Sequence, residues 1–205
     1  MISNSELNKE IQKNVLGVLT SLAEVEASIH GTNLEEVHFH EIGAIDSIVD
    51  VVGVCAAVEY LKPKLFICAP PPAGHGIVET AHGLLPVPAP AVLELAKREE
   101  ITLQGGENYP KGELTTPTGL ALMAVLADSF TQPTSIGIEA IGVGLGHRQL
   151  DRPNFLRICS LDWMSPSDSG SNKDHEDFYW QPLAFQEAWI DDSSPEDISL
   201  LVHEL

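Results

Sequence analysis

Between Ile48 and Leu61 the sequence reads IVDVVGVCAAVEYL and is nearly all apolar. A run that long is a helix rather than a strand, and its composition predicts burial on most sides. Asp46 or Ser47 supplies the start and Pro63 the stop. Any fold has to close around this segment. It also has to accommodate Asp50, which interrupts the run, because a buried carboxylate needs a cation or several donors.

The rest of the chain alternates helical and extended patterns. Residues 6–29 carry Ile11, Val15, Val18, Leu19, Leu22 and Val25 at helical spacing, with Ser5 as N-cap and Gly31 near the C-cap. KLFICA at 64–69 is expected to be an interior strand, and 77–82 a further one. Pro90 opens a helix to residue 99, ITLQGG at 101–106 reads as a strand, and an apolar helix is expected over 119–130. SIGIEAIGVGLG and PNFLRICSL add β character up to residue 161. This pattern predicts an α/β or α+β fold, a mixed sheet of short strands packed with about four helices. Three segments follow from composition. Residues 1–162 form the core domain, and 163–181 a flexible acidic linker whose stretch SPSDSGSNKDHED at 165–177 holds no apolar residue. Residues 182–205 are expected to open a second domain that is cut short.

Just ahead of the apolar run stands VHFHEIGAID. If 37–40 is extended, His38 and His40 point to one side. On a helix, Asp46 and Asp50 share a face at i and i+4. A turn through Glu41 brings the pairs together, and two imidazoles with carboxylates suit Ni, Zn, Fe or Mn. The candidate metal set is therefore His38, His40, Glu41, Asp46 and Asp50. Against it, Asp46 can cap the helix, Asp50 can hold an ion pair, and the histidines can be satisfied core groups. A second cluster, GELTTPTG, places Glu113, Thr115, Thr116 and Thr118 before a helix. Threonines there can receive a phosphate or carboxylate of a cofactor, although self-capping is their more common use. His75 and His82 sit in similar turns.

Composition removes several classes. A net charge of −19 with no basic patch argues against nucleic acid. No apolar run reaches the roughly 18 residues of a membrane helix, and the polar start is no signal peptide. A cytoplasmic protein is the expectation. Cys55, Cys68 and Cys159 are odd in number and widely spaced, which fits free thiols better than disulfides or a thiolate zinc site.

HFHEIGAIDSIVDVVG, AHGLLPVPAPAVLELAK, GELTTPTGLALM and RPNFLRI occur in the order found in the LarC family, which this chain resembles over residues 7–158. EAWIDDSSPED resembles the opening of that family's second half. The resemblance implies a component of a nickel-insertion system, a CTP-dependent chelatase of the lyase class. That system places Ni2+ into a pyridinium bis-thiocarboxylic acid mononucleotide for lactate racemase and related isomerases. CTP with Mg2+ or Mn2+ belongs to the family at full length, and its site is not expected on this chain. The segment that usually opens the family, with its histidine-rich tract, is also missing from the sequence. Implied partners are the thiolated mononucleotide, a chain carrying the CTP-binding half, and a second copy in a homo-oligomer. Two alternatives stay open: a non-catalytic metal-binding scaffold, and a metal-free acid–base enzyme using His38, Glu41 and Asp50.

Overall fold

A computed structural model describes residue 2 and residues 5–37, 45–80, 83–106, 108–131 and 137–162. All of these fall within the unit Met1–Trp163. The expected linker and second domain, the turn at 38–44 and His82 lie outside the described residues.

Helix α1, Lys9–His30, places Val15, Val18, Leu22 and Val25 on one fully buried face. Their 3-4-3 spacing follows the helical period. The helix starts later than Ser5. Ser5 Oγ instead donates to Ile2 O, and the Asn8 side chain accepts the Glu10 amide as the cap. At the other end Gly31 takes a left-handed φ of 64° and returns its amide to Ala27 O, a conformation that costs glycine nothing.

Three further helices pack on α1: α2 (Ile45–Leu61), α3 (Pro90–Arg98) and α4 (Pro117–Leu126). Their shared core gathers Val51 and Cys55 of α2, Val92 and Leu95 of α3, and Leu120 and Ala121 of α4. Pro90 stands in the first turn of α3, where its missing N–H leaves no helical bond unmade. Arg98 pairs with Glu24 and ties the end of α3 to α1.

The expectation of burial on most sides fails for α2. Among its residues of described burial only Val51 and Cys55 are buried, whereas Val49 is 61% exposed and Tyr60 is 87% exposed. A helix resting on a bundle buries one stripe, and here the opposite stripe stays apolar and open.

The four-helix α/β expectation holds, and the strands pair as two antiparallel hairpins. One joins β1 (Gly76–Thr80) to β2 (Gly83–Val87), with Gly76 opposite Val87. The other joins β3 (Gly137–Leu145) to β4 (Phe155–Asp162), with Leu145 opposite Phe155 and a bulge between Ile138 and Ala140. Residues 64–69 do not form a strand. Ile67 makes a single parallel bridge to Ser129, and Phe66 N donates to the Asp128 carboxylate at 2.7 Å. The same geometry ends α4 at Leu126, earlier than expected, because residues 128–129 turn to meet 66–68. Residues 101–106 likewise contribute one bridge, Gln104 to Pro72.

Candidate functional site

Helices α2 and α4 leave an open groove of about 580 Å³ between them. The α2 wall presents Val49, Asp50, Gly53 and Val54. The α4 wall presents Thr116, Thr118 and Leu122. Each wall follows from its helix. Asp50, Gly53 and Val54 recur at i, i+3 and i+4, so one face carries all three. Thr116 is the N-cap of α4, its hydroxyl accepting the Gly119 amide at 3.1 Å, so it stands at the helix mouth by construction.

The groove brings together residues from the two clusters singled out in the sequence. Asp50 comes from the candidate metal set, and Thr116 and Thr118 from the candidate cofactor set. Asp50 is exposed and not buried, because it lies on the open stripe of α2. No ion pair or hydrogen bond among the described residues engages its carboxylate. Burial therefore gives no reason for a cation beside it, and the anchored ion pair is also absent among the described residues. Asp46 sits in the first turn of α2, exposed, and does not line the groove. His38, His40 and Glu41 fall outside the described residues. Among those described, no three His, Cys, Asp or Glu side chains converge into a metal cluster.

The other two cofactor candidates point elsewhere. Thr115 is 5% exposed and its hydroxyl donates to Pro72 O at 2.7 Å, so it pins one loop to another. Glu113 is half-buried, and its main-chain oxygen accepts from Arg148 at 2.5 Å. Sequence reasoning missed Arg148, Lys111 and Arg152, which gather on the loop at 108–113. The available signal was two arginines close together in HRQLDR, within a chain of 11 Lys and Arg against 30 Asp and Glu. His75 is exposed and its Nε2 bonds Tyr109 O at 3.0 Å.

Burial pushes the Cys55 and Cys68 thiols up, which keeps both protonated at neutral pH. All three cysteines are free. Beside Arg152, the Asp151 carboxyl is held below its ordinary range by the hydrogen bond between them.

The groove is open to solvent and mostly apolar, with one carboxylate on one wall and hydroxyls at a helix N-terminus on the other. By sequence, the chain belongs to the nickel insertion protein family, whose family model matches residues 1–205. Among curated relatives, the pyridinium-3,5-bisthiocarboxylic acid mononucleotide nickel insertion protein of Clostridium kluyveri is 46% identical over 158 residues, covering 77% of this chain and 39% of its own length. The proteins of the same name from Akkermansia muciniphila and Clostridium acetobutylicum are each 39% identical. They cover 100% and 96% of this chain, and 47% and 43% of their own lengths. The chain thus spans under half the length of these relatives. No solved structure matches it. None of its described helices is long and apolar enough to cross a membrane.

Proposed function

We propose that this chain takes part in placing Ni2+ into the pyridinium-3,5-bisthiocarboxylic acid mononucleotide, the task for which its relatives are named. The observation that supports this best is the groove in which Asp50 faces Thr116 and Thr118. Nickel is cargo here and has to be released. Carboxylate and imidazole ligands hold a borderline ion less tightly than a closed thiolate cage would. Asp50 serves as one oxygen ligand, and His38, His40, Glu41 and Asp46, just before it in sequence, supply the remainder. The apolar side chains of Val49, Val54 and Leu122 suit the flat face of a pyridinium ring. Thr116 and Thr118 offer hydroxyls to its anionic substituents, aided by the positive end of the α4 dipole.

The full reaction draws on CTP with Mg2+ or Mn2+, which we assign to sequence that the relatives carry beyond the part matched here. The core at 1–162 is then the nickel-handling half, working in the cytoplasm, where free cysteines stay reduced. Calorimetry of the 205-residue chain with NiCl2 tests the reading. Saturable binding that weakens in His38→Ala and Asp50→Ala supports it. Adding the thiolated mononucleotide should then produce nickel–thiolate absorbance. Nickel heats that are non-saturable, or the same in all three proteins, would remove both the metal reading and the proposed ligand set.

A further inference from the structure

We propose that residues 65–69 form an open β-edge that receives an extended apolar strand from polypeptide outside this chain, of the kind its longer relatives carry. One side of this segment is already used. Phe66 N donates to the Asp128 carboxylate at 2.7 Å, and Phe66 O accepts from Asp128 N at 2.8 Å. Cys68 N donates to Ser129 O at 3.0 Å, and Ile67 bridges Ser129 in parallel.

The other side is not used. In extended chain, alternate residues turn their N–H and C=O groups to opposite sides. Phe66 and Cys68 face 128–129, so Leu65, Ile67 and Ala69 face away. None of these three makes a backbone hydrogen bond among the described residues. A row of unpaired donors and acceptors is a template for a further strand.

Open edges that are meant to stay open are defended by lysine, proline or a bulge. Here the defences stand only at the margins, Pro63 and Lys64 before the segment and Pro70 after it. The residues between them, LFICA, hold no charge and no proline. Their composition suits an inner strand. The flanking prolines lack an N–H, so they limit the slot to about five residues, or roughly 17 Å.

The exposed side chains nearby are apolar too. Leu65 is 48% exposed, and Tyr60 and Leu61, at the end of α2 that leads into the edge, are exposed as well. Two copies of this chain joined edge to edge would pair only about five residues each, well short of the ~800 Å² per partner of a specific complex. They would also bring together two charges of −19. A segment of a larger polypeptide can add contacts beyond the edge, over Tyr60 and Leu61. More than half the length of the relatives from Clostridium kluyveri, Akkermansia muciniphila and Clostridium acetobutylicum lies outside the part this chain matches. We take the strand to come from such sequence.

The test titrates the 205-residue chain with overlapping short peptides that cover the unmatched sequence of the Clostridium kluyveri relative. Fluorescence anisotropy reads binding, and residue-resolved amide exchange locates it. We expect an apolar peptide to bind saturably and to slow exchange at Leu65, Ile67 and Ala69. N-methylation of that peptide at alternate residues should weaken binding by about 10-fold in one parity and leave the other unaffected, because a strand offers only every second amide to its neighbour. Ile67→Pro, which removes the central N–H of the edge, should weaken binding to a similar extent, with a melting curve as control. If that variant does not fold, the methylated peptides answer the same question on the unaltered chain. Absence of saturable binding by every peptide, or binding that leaves the three amides exchanging freely, would overturn the proposal. So would protection of those amides in the peptide-free chain. Protection independent of concentration assigns the edge to this chain's own residues, and protection that rises with concentration assigns it to a second copy. Neither nickel nor the mononucleotide takes part, so the nickel reading stands or falls separately.

Discussion

A β-carbon placed on Gly74 would lie 2.2 Å from the carbonyl oxygen of Gly112. The two glycines belong to loops that cross each other, joined by the Gly112 amide donating to His75 O at 2.6 Å. Gly74 also has φ 73°, in the left-handed region. Gly74→Ala therefore meets a backbone clash and a strained conformation together. We expect a loss of roughly 3 kcal/mol or more, or failure to fold. Urea unfolding measures it, and a loss below about 1 kcal/mol would show that the loops can part cheaply.

Gly53 provides the opposite case on the same scale. It sits mid-helix in α2, and a β-carbon there meets nothing within 4 Å. Gly53→Ala should raise stability by about 0.5–1 kcal/mol, because alanine loses less backbone entropy in a helix. A higher urea midpoint with unchanged slope is the expected readout.

Asp50→Ala separates ligand from structure. The carboxylate is exposed and engages no partner among the described residues, so its removal should leave melting within about 0.5 kcal/mol of wild type. Nickel affinity should fall by about 10-fold or more. Intact nickel binding in the folded variant would strike Asp50 from the site.

The thiols give a pH prediction. Cys55 has its folded pKa raised by burial, so the folded state holds the proton more tightly than the unfolded chain. The stabilisation is fully present below the unfolded thiol pKa of about 8.5 and is lost as pH climbs through the folded value. Unfolding free energy should decline above that point. The decline should be shallower in Cys55→Ala, even though that variant is less stable at pH 7. Identical slopes in the two proteins would contradict the burial argument.

Sequence signals are legible where the structure uses them locally. Val15, Val18, Leu22 and Val25 mark the inner face of α1 by spacing alone, Gly31 ends it, and Pro90 opens α3. They mislead where the deciding partner is distant in the chain. Residues 64–69 have strand composition, yet whether they extend a ladder depends on residues 128–129, which offer one bridge. The apolar run of α2 signals burial, but composition does not tell how many neighbours will cover a helix, and here one stripe has none among the described residues.

The site is legible in the same uneven way. Asp50 and the Thr116–Thr118 pair stand out separately for their residue types, and the structure sets them on facing walls. Thr115 is indistinguishable from its neighbours in sequence, since only the fold brings Pro72 O to its hydroxyl. Arg148 leaves almost no trace, because its partners are main-chain carbonyls 35 and 37 residues away. Backbone acceptors carry no residue identity for a motif to display.

The β3–β4 hairpin has a consequence for how this protein behaves in a tube. Residues opposite each other in the ladder share a face, so Ile141, Val143, Leu145, Phe155 and Cys159 share one, broken by Arg157 opposite Val143, and every residue of β3 is exposed. Such a ribbon is adhesive. The charge of −19 carried by each chain opposes contact between copies. That repulsion reaches about 30 Å at 10 mM salt and only about 8 Å at physiological ionic strength. Added salt screens the like-charge repulsion that keeps acidic proteins dispersed, and so uncovers the ribbon. Concentrated stocks should stay clear in dilute buffer and cloud as salt is added.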